Sequence, residues 1–267
     1  MVAAAASHRQ GHWASIEADI RTHLLQSLPT TPLPVVVKPM HHMINSAVPK
    51  PIAPVLCLTA CELVGGQRTE AMDAACALHL MHALVRSRAR FHPVLGLRAE
   101  NKSSSPFSDG VLLMTGDGLV SFGFELVARS ESSEPSRVLK VILEIAEAIG
   151  AAGTAEGLNM VADGATAVEK VCEKTDARLS ACGAVCGAIL GGAGDEAVER
   201  LRRFGLYVGM MHGLLCTEGS SEAAEEFRSL ARSELKGFEE GKLDEVRGLV
   251  DWWYEQGAVA AVEAARE

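Results

Sequence analysis

Apolar residues recur three and four positions apart through most of this chain, and nothing alternates as strands would over any length. Met72, Ala75, Cys76, His79, Leu80 and Ala83 form one such stripe, and Val198, Leu201, Phe204, Val208, Met211 and Leu215 form another. That spacing puts side chains on one face of an α-helix, whereas a half-buried strand needs every second residue. An all-α chain is the expectation. Composition leans the same way, with Ala, Leu, Val and Gly dominant and aromatics at only 4%, since Ala and Leu lose little side-chain entropy in helices. At 267 residues and 48% hydrophobic, the chain can bury a sizeable core. No internal repeat and no biased linker divides it. One domain is expected over residues 15–267, preceded by a flexible N-terminus at residues 1–14.

The first helix is placed at about residues 15–27, with Ile16, Ile20, Leu24 and Leu25 on one face, and Pro29, Pro32 and Pro34 stop it. An apolar run over residues 55–64 ends at Gly65-Gly66, a helix stop. The next helix begins near Thr69. Residues 99–109, AENKSSSPFSD, are polar and rich in Ser, which predicts the most mobile loop. Residues 111–128 are apolar on nearly all sides, predicting a helix in the middle of a bundle or at a subunit interface, with a strand as the competing reading. Further helices are expected over residues 136–149, 165–174, 177–190, 195–215, 222–240 and 243–255. Trp252 and Trp253 would anchor the last one.

A net charge of -9 argues against a nucleic-acid partner, because phosphate backbones select clustered Lys and Arg. No run approaches 18 uninterrupted apolar residues, so no transmembrane segment is expected. Residues 1–7 are too short for a signal peptide, and Glu17 and Asp19 come too early for a transit peptide. The seven cysteines, an odd number, lie in Ala- and Gly-rich apolar stretches, a setting that suits reduced, buried thiols.

Several blocks carry a family resemblance: CELVGG at 61–66, AMDAACALHLMH at 71–82, GDGLVSFGFELVA at 116–128, GAILGGAGDEAVERLRRFGLYVGMM at 187–211 and SLARSELKGFEEGKLDEVRGLVDWWYEQ at 229–256. In order and spacing they resemble the trans-prenyl diphosphate synthases of the geranylgeranyl type. The resemblance implies a single-domain isoprenoid-synthase-type helical bundle around a central cavity. In that family two DDxxD motifs on facing helices hold Mg²⁺ against a leaving pyrophosphate, because positions i and i+4 share a helix face. The metal stabilises the leaving charge.

Neither motif survives in this chain. With His82 aligned on the family's histidine, the first motif should start seven residues later, where Ala89 and Arg90 stand within RSRARFHP. The second motif should follow GMM, and its aspartates fall on Cys216 and Thr217. Mg²⁺ needs oxygen ligands, and Arg86, Arg88 and Arg90 would repel it. The other acidic pairs read as solvated helix ends. The family's Gly-Gly-Lys-Arg-x-Arg-Pro stretch is VPKPIAP here, so only Lys50 and Pro54 match. Lys50 and His82 are left as vestigial diphosphate contacts or scaffold remnants.

CLTAC (Cys57, Cys61) and CGAVC (Cys182, Cys186) are CxxxC motifs, each setting two sulfurs one turn apart on one helix face. By spacing alone they are buried small residues or, with less support, metal ligands. Together with the lost Asp-rich motifs they resemble the non-catalytic small subunits of plant heterodimeric geranyl and geranylgeranyl diphosphate synthases. In those subunits the motifs are implied in binding the large subunit. Their physical role would be close packing, across the heterodimer or within the nearby core.

The expectation is therefore a regulatory subunit with no catalytic residues, no metal and no cofactor of its own, docked on a catalytic large subunit that carries Mg²⁺. Plastid localisation follows from the resemblance alone. Two rivals stand beside it: a divergent Mg²⁺-dependent prenyltransferase active by itself, and a cysteine-based redox or metal-binding helical protein.

Overall fold

The computed structural model describes residues 2–28, 33–45, 52–89, 105–131, 134–162, 168–218 and 221–264. The elements are α1 (Val2–Ser27), α2 (Pro34–Asn45), α3 (Ile52–Leu63), α4 (Arg68–Ala89), α5 (Asp109–Ala128), α6 (Pro135–Ile149), α7 (Thr154–Ala162), α8 (Val168–Cys172), a π-helical turn (Glu173–Ala177), α9 (Arg178–Leu190), α10 (Asp195–Glu218), α11 (Ser221–Glu234) and α12 (Glu240–Ala264). Among the described residues there is no strand, so the fold is all-α.

Helices α3 and α9 form the centre. Every residue of α3 except Glu62 is buried, and α9 is buried apart from Arg178 and Ile189. The two pack together, and α4 and α10 pack against them. Glycine sets the α3–α9 separation: a Cβ on Gly183 or Gly187 would overlap the carbonyl oxygens of Ala53 and Cys57. Backbones this close exclude any larger side chain at those positions. On the other side of α9, a Cβ on Gly205 of α10 would stand 2.6 Å from the Ser180 carbonyl oxygen.

Helix ends follow local chemistry. Gly65, at φ +100°, closes α3, with the Gly66 N–H donating to the Cys61 carbonyl. The Gln67 N–H donates to the Glu70 carboxylate at 2.7 Å, half of a capping box that starts α4. The Arg137 guanidinium donates to the Leu190 carbonyl at 3.1 Å, placing a cation where the α9 dipole is negative. Arg202 and Arg203 of α10 reach Glu144 on α6 and Glu234 on α11, each through two hydrogen bonds of 2.7–3.0 Å. Being partly exposed, these pairs are screened by solvent and mainly fix orientation.

Several expected boundaries shift. Helix α1 starts at Val2, well before residue 15, and α12 runs on to Ala264. Helix α11 stops at Glu234, ahead of Gly237 at φ +91°. Helices α2 and α7 had no counterpart in the sequence reading. Pro39 inside α2 removes a backbone donor, yet Met40, Met43 and Ile44 are buried and hold the helix on its neighbours. Most of the loop expected to be mobile, residues 99–104, lies outside the described residues.

The stripe on α10 is as expected, with Leu201, Phe204, Val208, Met211 and Leu215 all buried. So is the anchoring of α12: Trp13 of α1 lies 4.9 Å from Trp252 and 5.0 Å from Trp253, ring centroid to centroid.

Helix α5 is the exception to burial. Gly116, Leu119, Phe122, Gly123, Leu126 and Val127 face inward, but Val111 and Leu113 are exposed and Met114 is 77% exposed. Neighbouring α6 buries Val138, Val141, Ile145 and Ala148 while leaving Leu139 and Leu143 exposed at 58% and 60%. With 20 residues and a mean hydropathy of 1.5, α5 also has the length and composition of a membrane span. Within this fold it packs on α4.

Candidate functional site

The four CxxxC cysteines lie on the two central helices, Cys57 and Cys61 on α3 and Cys182 and Cys186 on α9, and all four are 3% exposed or less. The Cys57 thiol is turned toward the Ala71 carbonyl of α4, at 3.9 Å. Cys182 and Cys186 approach to 3.8 Å between sulfurs, a contact between free thiols. The Cys61 thiol lies 3.4 Å from the Gln67 carbonyl. Burial pushes the Cys61 thiol up to about 12, helped by Glu70 and Glu62. Cys57 is raised well above the ordinary thiol range by burial, and Cys186 by its hydrogen bond to Cys182 together with burial. Thiolate is the reactive form, so these groups act as small, polarizable packing residues. Cys216 is exposed and the other six cysteines are buried. A thiol reagent should therefore label one cysteine of the native chain quickly and the rest only on unfolding. Fast labelling of several would refute that burial.

The positions where the resemblance places the family's two metal motifs fall at the C-terminal ends of α4 and α10. Ala89 is the last residue of α4, while Arg90 and Lys50 lie outside the described residues, as do the side chains of Arg86, Arg88, Ala89 and Thr217. On α10 the last turns carry His212 and Cys216, whose sulfur is 3.7 Å from the imidazole Nε2. An imidazole and a thiol do not suit hard Mg²⁺. Among the described residues no three His, Cys, Asp or Glu side chains gather to hold a metal. This donor set does not fit the family's ions.

His82 is 8% exposed and His79, one turn before it, 2%. Burial lowers the His79 pKa, opposed by the Ile44 carbonyl and by Glu17. A histidine kept neutral by the fold contributes stability above its unfolded pKa of about 6.5, and that contribution is lost as pH falls through and below it. Thermal stability should decline from pH 7 to pH 5, and His79→Leu should flatten that decline. An unchanged slope in the variant would rule His79 out as its source.

A cleft of about 300 Å³ near the end of α4 is lined by Leu84, Val85, Asp117, Val120, Ile149, Thr154 and Leu158. Asp117 is its sole carboxylate. What the sequence reading did not single out is the outer face of α6. For α6 the signal was available: Leu139 and Leu143 lie one turn apart, off the stripe made by Val138, Val141 and Ile145.

Helices packed about a central α3–α9 pair, with α4 and α10 against it, superpose on solved isoprenyl diphosphate synthases, and that sets the class of the fold. The chain is 37% identical over 261 residues to the heterodimeric geranylgeranyl pyrophosphate synthase small subunit 2, chloroplastic, of Cannabis sativa, covering 90% of each. It is 30% identical over 254 residues to the large subunit 1 of the Arabidopsis thaliana heterodimeric geranylgeranyl pyrophosphate synthase, covering 76% of this chain and 67% of that one. Among solved structures, the geranyl diphosphate synthase small subunit of Antirrhinum majus superposes with a TM-score of 0.80 at 38% identity, over 91% of this chain and 98% of that one. A deletion mutant of the mint heterotetrameric geranyl pyrophosphate synthase gives 0.79 at 40%, over 90% and 98%. No family model matches. The chain belongs to the small-subunit family of heterodimeric geranylgeranyl and geranyl diphosphate synthases, within the trans-prenyl diphosphate synthases.

Proposed function

We propose that this chain is a catalytically silent, plastid subunit that docks on a catalytic geranylgeranyl diphosphate synthase and modulates its activity or product length. The observation that carries this reading is the residues at the two motif positions, Ala89-Arg90 after His82 and Cys216-Thr217 after GMM, none of which is a carboxylate. Expelling pyrophosphate needs positive charge held against it, and here nothing at those positions can ligate Mg²⁺. The metal, and the chemistry it performs, belong to the partner. Relatives named as small subunits of heterodimeric, chloroplastic enzymes support the partnership and the compartment. The CxxxC cysteines, enclosed inside this chain, would serve binding indirectly, by filling the core beside the glycine-set α3–α9 contact on which the outer helices are mounted.

The test is to mix the chain with the Arabidopsis large subunit 1. Co-elution and a product distribution shifted toward shorter chains, or a raised rate, are expected. Separate elution with unchanged products would overturn the proposal.

A further inference from the structure

The last turns of α10 carry a donor pair that the proposed function leaves unused. Cys216 is exposed, and His212, one turn before it, is partly buried. The sulfur stands 3.7 Å from the imidazole Nε2 and 3.9 Å from Nδ1. At such similar distances, a turn of the ring about χ2, a broad torsion for His, decides which nitrogen faces an ion beside the sulfur. In a tetrahedral zinc site, Zn–S of about 2.3 Å and Zn–N of about 2.0–2.1 Å set the two donor atoms about 3.5–3.6 Å apart. The pair already stands close to that separation, and the i, i+4 spacing keeps both donors on one helix face.

The turn that carries the pair is held from two sides. A Cβ on Gly213 would stand 3.0 Å from the Cys172 sulfur of α8, and one on Gly257 of α12 would stand 2.9 Å from Leu215 Cβ. Leu214 is buried in a cluster with Cys172 and Ala177. With this backbone fixed, closing on an ion orders two side chains and no main chain.

We propose that His212 and Cys216 form a two-ligand clip for a borderline-soft divalent ion, Zn²⁺, at the C-terminal end of α10. Thiolate and imidazole select such an ion over hard Mg²⁺. Water fills the two remaining tetrahedral positions, so the site is open and its ion exchangeable, unlike a closed structural centre. On binding, the Cys216 S–H bond is replaced by an S–Zn bond and the proton leaves to solvent, while the imidazole binds neutral through a nitrogen lone pair. The other six thiols are buried, so Cys216 is the sulfur an ion reaches without opening the chain.

Calorimetric titration of the metal-free chain with zinc chloride, in excess Mg²⁺, should show one site per chain. Cys216→Ser and His212→Ala should each weaken binding by at least about 10-fold and leave the metal-free melting temperature unchanged. With Co²⁺ in place of Zn²⁺, a thiolate-to-metal charge-transfer band should arise in the unaltered chain and be lost in Cys216→Ser. Absence of saturable Zn²⁺ binding would overturn the proposal. So would binding as tight in either variant as in the unaltered chain, which would assign the ion to donors elsewhere as an adventitious ion only. Displacement of Zn²⁺ by Mg²⁺ would overturn it too, since it would reveal oxygen ligands. None of these outcomes touches the subunit role, which is read from docking and product length.

Discussion

Gly187→Val should leave the chain largely unfolded at the temperatures at which the parent is stable. The Cβ would occupy the space of the Cys57 carbonyl oxygen, and neither backbone can yield without moving the whole of α3 or α9. Overpacking a core usually costs about 1–3 kcal/mol. Here the obstacle is a central backbone and not a side chain that can rotate, so at least about 3 kcal/mol is expected. For a chain of this size that corresponds to a melting temperature lower by roughly 10 °C. Thermal denaturation followed by circular dichroism measures it. A drop of only a degree or two would mean that α3 and α9 do not meet at this spacing. Cys57→Ala removes only a small group from a buried site and should cost far less.

The second large effect is catalytic. Given Mg²⁺, isopentenyl diphosphate and an allylic diphosphate, the isolated chain should turn over at less than about one thousandth of the rate of a catalytic large subunit. Removing a single electrostatic stabiliser costs about 10²- to 10³-fold, and on the silent-subunit proposal two groups of carboxylates are replaced. Pyrophosphate release by the purified chain gives the number directly. Turnover within tenfold of the large subunit would return the chain to the enzymes and require carboxylates elsewhere to hold the metal. Such an outcome would leave the fold and the family untouched and remove the silent-subunit proposal.

The helices were legible wherever one face was apolar and the other was not. Residues 195–215 announced α10 because Leu201, Phe204, Val208, Met211 and Leu215 share a side, and all are buried. Helix α2 was hidden because Pro34 read as part of the stop of the preceding helix, and the cost of Pro39 inside it yielded to the burial of Met40, Met43 and Ile44. Helix α11 read too long because Gly237 and its positive φ are indistinguishable in sequence from a glycine tolerated within a helix.

At the site, which residues stand at the expected motif positions was legible in the sequence, Ala89-Arg90 and Cys216-Thr217. How the cysteines are enclosed was not, because CxxxC fixes which side of a helix they share and not what covers it. The exposure of α5 was half legible. Uniform apolarity offered the bundle interior and an interface equally, and only the packing of α4 against Gly116 and Gly123 reveals which side is left uncovered.

The chain has three tryptophans, and all three meet where α1 touches α12. Its intrinsic fluorescence is thus a single-locus reporter of whether the first and last helices are clasped. Detachment of either terminus would brighten or red-shift the whole emission at once, while events along α5 and α6 would be silent in that channel. A truncation lacking Trp252 and Trp253 would keep only Trp13 as its reporter and lose the aromatic latch on its N-terminal helix.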